Sequence, residues 1–253
     1  MENTTGRRNF IKHTAMSGIG LLGIPSIVSA SFRETGLSRV RLTSGAVVLF
    51  QGDSITDMHR KRDDFHANSA AALGEGYPFV TASDLLYDYP KKNLVIYNRG
   101  VSGNKVFQLA DRWDADCLAL KPDVVSILVG VNDFWHTITH HYTGTVQTYR
   151  EDYIRLLSRT KEKLPGVQLI VGEPYALKGV KVVDDSWYPV FDGYRAAARE
   201  IAGRFGAVFI PYQSIYDKAL KLAPATYWSV DGVHPTVAGA RLMSDAWLHA
   251  IGA

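Results

Sequence analysis

The chain has 253 residues, of which 46% are hydrophobic, 21% charged and 11% aromatic. This composition is typical of a globular protein and excludes a disordered, collagen-like or multi-span membrane protein. The formal net charge of +3 gives no basis for nucleic-acid binding. The single cysteine, Cys117, excludes an internal disulfide and a cysteine-based zinc cluster.

The first 30 residues are predicted to be a twin-arginine-type export signal. Arg7 and Arg8 precede a short apolar stretch that ends at Ser29 and Ala30, which are small residues of the kind found at a cleavage site. We expect cleavage after Ala30 and a periplasmic or extracellular location, with basic and acidic residues nearly balanced in the remaining chain. A retained membrane anchor is the alternative. The stretch is shorter than the ~20 residues of a membrane span and contains Pro25.

Alternating strands and helices are predicted along the rest of the chain. Short runs rich in β-branched residues predict buried strands over 46–51, 94–98, 124–129, 168–171 and 207–210. Apolar residues at helical spacing predict helices over 78–88, 106–120, 191–205 and 237–251. They also predict one helix whose apolar face runs from Val146 to Leu157 and that ends before Pro165.

The absence of polar alternation in the strands indicates that both faces of the sheet are covered. Strands of this kind, separated by amphipathic helices, form parallel sheets. The sequence therefore predicts one domain over 38–253, built as a three-layer α/β/α sandwich around a five-stranded parallel sheet. Ligands of such sheets bind at the carboxyl ends of the strands, so the polar residues that follow each strand are the candidate site residues.

The first predicted strand is followed by Gly52, Asp53 and Ser54. A glycine permits a tight turn at the strand exit, and the next serine can present its hydroxyl and its N–H to the same space. The alternative is that Asp53 or Ser54 caps the following helix.

Two more candidates follow the next two strands. Gly103 can expose a backbone N–H to a ligand because no side chain blocks the approach. Asn132 carries an amide that can donate toward the same point. Each residue type is also a common turn former, which is the alternative for both.

An aspartate and a histidine stand three residues apart near the C-terminus. The glycine between Asp231 and His234 lets the carboxylate fold back onto the nearer imidazole nitrogen, while the farther nitrogen faces outward. This pair is the base that a serine nucleophile requires. The sequence thus contains four blocks, around Ser54, Gly103, Asn132 and His234, each at a strand end or a helix start. Together they indicate catalysis better than any one of them does alone.

The four blocks resemble the SGNH (GDSL-type) hydrolase family, whose four named residues match Ser54, Gly103, Asn132 and His234. The resemblance implies a flavodoxin-like SGNH hydrolase fold and a catalytic triad of Ser54, Asp231 and His234. It also implies an oxyanion hole formed by the Ser54 N–H, the Gly103 N–H and the Asn132 side chain, with no metal or cofactor. The usual α/β-hydrolase elbow, Gly-x-Ser-x-Gly, does not occur in the sequence.

A fuller pattern resembles the branch of the family that contains bacterial acetylxylan esterases. It comprises the blocks at 52–57, 72–77, 98–104, 109–113, 121–126, 130–135 and 231–235. This resemblance implies removal of acetyl groups from xylan, xylo-oligosaccharides or other acetylated carbohydrates. A lysophospholipase or thioesterase of the same family is the alternative. A sugar-binding protein without catalysis is a second alternative, but it would be expected to lack the serine or the histidine.

Three aromatic residues are candidates for stacking on a sugar: Trp135, Tyr175 and Trp187. Local packing is the alternative for each. The polar segment 58–76 is predicted to be a surface loop beside Ser54. No long apolar lid occurs, which argues against a lipase, and we expect no membrane insertion once the signal is removed. The resemblance allows a homo-oligomer.

Overall fold

The computed structural model describes residues 23–33 and 39–252. The sheet in this part of the chain consists of β1 (Val47–Gly52), β2 (Val95–Asn98), β3 (Val124–Leu128), β4 (Gln168–Gly172) and β5 (Val208–Ile210). The strand order is β2-β1-β3-β4-β5, and all neighbouring strands are parallel. The five predicted strands are therefore confirmed.

Eight of the described α-helices lie between successive strands, one precedes the first strand and three follow the last strand. In chain order the described α-helices are α1 (Ile24–Phe32), α2 (Ser54–Asp57), α3 (Ala70–Leu73), α4 (Tyr77–Asp88), α5 (Val106–Asp111), α6 (Trp113–Asp116), α7 (Val131–Thr139), α8 (Val146–Lys163), α9 (Val190–Arg204), α10 (Tyr212–Ala219), α11 (Ala225–Trp228) and α12 (Val237–Ile251).

The helices pack in two groups, one on each face of the sheet. One group contains α1, α4, α10 and α12, and the other contains α5, α8 and α9. On the first face, the Trp247 ring of α12 lies 5.2 Å from the Phe50 ring of β1, and its indole N–H donates to Ser126 in β3 at 3.0 Å. On the other face, the Tyr149 hydroxyl of α8 donates to the Val129 carbonyl at 3.2 Å. The predicted three-layer α/β/α sandwich is confirmed.

The region between β2 and β3 differs from the prediction of one helix over 106–120. Helix α5 ends at Asp111, α6 is a separate short helix, and a single 3-10 turn covers Leu118–Leu120. Arg112, which lies at the break, donates from its guanidinium to the Arg99 carbonyl at 2.7 Å and to the Asn104 side chain at 2.9 Å. These contacts with the loop after β2 accompany the interruption of the helix. The prediction of a continuous helix is wrong.

The segment 58–76 lies largely at the surface, as predicted, and more than half of its residues are exposed. It contains α3, and its Arg60 is only 7% exposed because the guanidinium donates to the Gly100 carbonyl at 2.7 Å. Arg60 of this surface segment therefore supports the loop after β2 from within the fold.

The N-terminal segment is described in part. Arg7 and Arg8 of the predicted export signal lie outside the described residues. Helix α1 buries Ile27 and Val28 and packs against α10 and α12. The expected cleavage point after Ala30 lies inside this helix. Within residues 23–33 and 39–252, no helix has the length and apolar character to cross a membrane.

Candidate active site

The strand order creates a crevice between the carboxyl ends of β1 and β3. The chain leaves β1 toward β2 on one side and returns to β3 on the other, and ligands of doubly wound sheets bind at such a switch point. Gly52 of β1 is paired with Leu128 of β3, so Ser54 and Asn132 follow directly from adjacent strand ends. The sheet thus brings two of the candidate residues to the same place.

The side chains of Ser54, His234 and Asp231 form a hydrogen-bonded chain. The Ser54 Oγ atom lies 2.7 Å from His234 Nε2, although the two residues are 180 positions apart in the sequence. His234 Nδ1 lies 2.7 Å from Asp231 Oδ2. The structure therefore brings together all three residues that the sequence singled out as a nucleophile with its base.

The loop that carries Asp231 holds its carboxylate in place. Asp231 Oδ1 accepts the backbone N–H groups of Val233 at 2.9 Å and His234 at 2.8 Å. Gly232 has a φ of +102°, and a Cβ at this position would lie 2.8 Å from the Leu177 carbonyl oxygen. The turn between Asp231 and His234 therefore requires glycine.

These contacts determine the protonation of the pair. Burial raises the pKa of Asp231, but the hydrogen bond with the His234 ring and those from the two backbone N–H groups outweigh it and lower the pKa to about 2. The hydrogen bond to Asp231 raises the pKa of His234, and burial opposes this rise. An ionised Asp231 can only accept, so Nδ1 carries the proton and the Nε2 lone pair of the neutral ring faces the Ser54 hydroxyl.

Asp53 serves as the cap of α2. Its Oδ1 atom accepts the Ile55 N–H at 3.0 Å, and burial raises its pKa to about 7. Of the two capping alternatives that the sequence left open, the structure assigns the cap to Asp53. The hydroxyl of Ser54 is thereby left to His234.

Three candidate N–H donors lie on the segments that follow β1, β2 and β3. The backbone N–H groups of Ser54 and Gly103 donate to no other group in the described ranges. Gly103 has a φ of +82°, which favours glycine at this position. The Asn132 amide donates one N–H to the Asn104 carbonyl at 3.3 Å and retains a second one. Each of the three residues thus keeps an N–H that donates to no group in the described part of the chain.

Asp57 supports this arrangement and was missed by the sequence analysis. Its Oδ2 atom accepts the Ser102 N–H at 2.9 Å and the Ser102 hydroxyl at 2.6 Å, and so fixes the residue next to Gly103. Burial raises the pKa of Asp57, but hydrogen bonds from Arg62 and Ser102 outweigh it and lower the pKa. In the sequence, only its place in the block 52–57 pointed to Asp57, because its partner Ser102 lies 45 residues away.

The three aromatic candidates occupy different positions. The partly buried Trp135 ring lies 6.5 Å from the His234 ring and thus borders the site. Trp187 is buried behind it, with 5.8 Å between the two rings, and its indole N–H donates to the Val182 carbonyl at 2.9 Å. Tyr175 is 0% exposed and its hydroxyl bonds to the Met243 sulfur at 3.5 Å. The structure therefore places Tyr175 and Trp187 in the core instead of at the predicted substrate surface.

The fold and this arrangement define a class: α/β/α hydrolases with a serine after the first strand and an aspartate and a histidine before the last helix. The model of the GDSL-like lipase/acylhydrolase family matches residues 50–242. The chain belongs to this family.

Relatives cover most of the chain. An acetylxylan esterase from Geobacillus stearothermophilus is 33% identical over 217 residues, which are 84% of this chain and 97% of that protein. A putative GDSL-like lipase from Parabacteroides merdae is 50% identical, with a TM-score of 0.84 over 85% of this chain and 99% of that one. A variant of a Geobacillus acetyl-xylooligosaccharide esterase is 32% identical, with a TM-score of 0.77 over 85% and 97% of the two chains.

Proposed function

We propose that this protein is a serine esterase that removes acetyl groups from carbohydrates such as acetylated xylan or xylo-oligosaccharides. The hydrogen-bonded chain of Ser54, His234 and Asp231 carries the esterase part of the proposal. The carbohydrate part is supported by similarity to an acetylxylan esterase and by Trp135 beside His234.

In the proposed mechanism, Ser54 attacks the carbonyl carbon of the ester. His234 Nε2 takes the hydroxyl proton as the bond forms, and Asp231 stabilises the resulting imidazolium. His234 then gives the proton to the departing alcohol oxygen, which leaves an acetyl group on Ser54. A water molecule, activated by the same imidazole, releases acetate and restores the serine.

The negative oxygen of each tetrahedral intermediate is stabilised by the N–H groups of Ser54 and Gly103 and by the free N–H of Asn132. Such donors act on charge that develops in the transition state, so they lower the barrier more than they strengthen substrate binding. The Asn132 amide is already oriented by its hydrogen bond to the Asn104 carbonyl. Little reorganisation is therefore needed when the charge forms.

The substitution Asn132→Ala is expected to lower kcat for phenyl acetate by about 10²–10³-fold, because one of the three oxyanion donors is lost. Steady-state kinetics give the rate, and a thermal unfolding curve recorded on the same sample tests the fold. An unchanged kcat in a folded variant would remove Asn132 from this role.

The acyl group is proposed to be short. The sequence has no long apolar lid and no amphipathic interfacial helix to accommodate a fatty chain, and added methylene groups increase activity only where an apolar surface receives them. We expect kcat/KM for p-nitrophenyl octanoate to be at least about tenfold below that for the acetate. Faster hydrolysis of the octanoate would favour a lysophospholipase or thioesterase instead.

Acetate release from acetylated xylan, acetylated xylo-oligosaccharides and acetylated glucose tests the carbohydrate part directly. Release from the xylan-derived esters at rates well above that from acetylated glucose is the expected result. If the protein hydrolyses aryl acetates but releases acetate from none of the three carbohydrates, the carbohydrate part of the proposal is wrong and the protein is an esterase of different specificity.

Export from the cytoplasm is also part of the proposal. It rests on Arg7 and Arg8 before an apolar stretch that ends near Ala30. Polymeric or oligomeric xylan lies outside the cell, so an exported enzyme would meet its substrate there.

A further inference from the structure

Helix α7 presents a second polar side chain beside the oxyanion donors. Asn132 and His136 are four residues apart in this helix, so their side chains lie on the same face, one turn apart. A Cβ atom placed on Gly103 would lie 3.8 Å from His136 Cε1. The half-buried imidazole of His136 therefore borders the loop that supplies the Gly103 N–H.

Lys105 determines which nitrogen of this imidazole carries the proton. Its Nζ atom lies 3.1 Å from His136 Nδ1. An ammonium group can only donate, so Nδ1 accepts and the proton of the neutral ring resides on Nε2. The Nε2 atom is thereby a hydrogen-bond donor, and it donates to no group among residues 23–33 and 39–252.

Burial lowers the pKa of Lys105, but a carboxylate and two aromatic rings around it favour its charged form. The side chain is only 8% exposed, and Nζ lies 5.1 Å from the centre of the Tyr142 ring and 5.5 Å from that of the Phe107 ring. Aromatic faces at these distances attract a cation. The buried Asp133 carboxylate, which accepts the Val106 N–H at 3.2 Å, also attracts the Lys105 charge.

The same surroundings keep His136 neutral. Burial, the charge of Lys105 and that of His140 lower the pKa of His136 to about 4. At neutral pH the ring is therefore a neutral donor, unlike His234, whose pKa is raised. The two histidines beside the site can therefore act differently, His234 as a base and His136 as a neutral hydrogen-bond donor.

We propose that His136 Nε2–H is a specificity-determining donor to an oxygen atom of the alcohol part of the substrate, next to the ester, and that Lys105 orients it. The inference rests on the proposed esterase function. In the proposed mechanism, three donors are already assigned to the carbonyl oxygen. An acetylated sugar, by contrast, carries further acceptor oxygens on the carbons adjacent to the ester. The site thus selects acetyl esters of polyhydroxylated alcohols over those of plain alcohols.

Two acetyl esters of similar shape test this assignment: methyl 2-O-acetyl-β-xylopyranoside, and cyclohexyl acetate, which lacks the neighbouring oxygens. The measured quantity is the ratio of kcat/KM for the xyloside to that for cyclohexyl acetate. His136→Leu is expected to lower this ratio about tenfold, chiefly through KM, because one hydrogen bond to the sugar is lost. His136→Gln retains an N–H donor and is expected to restore most of the ratio.

Lys105→Met leaves the His136 ring in place but removes the ammonium group that selects its tautomer. This variant is therefore also expected to lower the ratio. It carries the test alone if His136→Leu fails to fold. The matched control is His140→Gln, because the exposed His140 ring lies 4.3 Å from the His136 ring, in a tilted arrangement, but its Nδ1 atom bonds to Thr139. This control is expected to leave the ratio unchanged.

An equal loss on both esters in His136→Leu and Lys105→Met would overturn the inference and leave the proposed esterase function intact. A wild-type protein that hydrolyses neither ester, under conditions in which it remains folded, would overturn the proposed function together with the inference. The two failures are therefore distinguishable from the same data.

Discussion

Replacing Ser54 with alanine is expected to lower kcat for acetyl-ester hydrolysis about a millionfold, because no other group can form the acyl intermediate. The fold should persist, since the Ser54 hydroxyl bonds only to His234 in the described residues and Asp53 continues to cap α2. The measurements are acetate release under single-turnover conditions and the thermal unfolding midpoint. Residual activity above the rate in water is expected, since the donors of Gly103 and Asn132 remain.

The matched control is Ser44→Ala, which removes an exposed serine whose hydroxyl bonds only weakly to the Lys92 carbonyl at 3.4 Å. This variant is expected to retain full activity. Mass spectrometry after treatment with a sulfonyl fluoride adds a direct readout, because wild type should gain one covalent label and Ser54→Ala none. A folded Ser54→Ala variant with near wild-type turnover would show that another residue attacks the ester.

Most of the fold could be predicted because it is encoded in short local patterns. The strands are continuous apolar runs, and the helices over 78–88, 191–205 and 237–251 are amphipathic segments with clear ends. The interruption at Arg112 could not be predicted, since it coincides with hydrogen bonds to Arg99 and Asn104 in a separate loop. The spacing of apolar residues along a helix contains no information about hydrogen-bond partners in another loop.

The same distinction applies to the site. Ser54, Gly103, Asn132 and His234 could be found because each follows a strand or precedes a helix, and strand ends meet in space. The burial of Tyr175 and Trp187 could not be found, because an aromatic ring in a loop sequence looks the same whether it faces a ligand or the core. The contact between Lys105, at the start of α5, and His136 in α7 likewise joins two elements that only the sheet brings together.

The substitution Asp231→Asn is expected to lower kcat about 10⁴-fold, because the asparagine amide can donate to the ring and favour the wrong tautomer. In wild type the Asp231 carboxylate accepts from His234 Nδ1 at 2.7 Å, so the Nε2 lone pair of the same ring faces Ser54. The change preserves size, so the unfolding midpoint should move little. Asp185→Asn is the matched control, because this exposed aspartate bonds to Lys178 on the surface, and its kcat should remain at the wild-type level.

The pH profile separates this electrostatic role from a loss of structure. His234 acts as a base only when neutral, and its hydrogen bond to Asp231 raises its pKa above the ordinary 6.5. Wild-type kcat/KM is therefore expected to rise with pH through a midpoint above 6.5. In Asp231→Asn the raising interaction is lost while burial still lowers the pKa, so the midpoint of the residual activity should shift to lower pH. Profiles between about pH 4 and 9 measure both midpoints, and an unmoved midpoint would show that Asp231 does not control the protonation of His234.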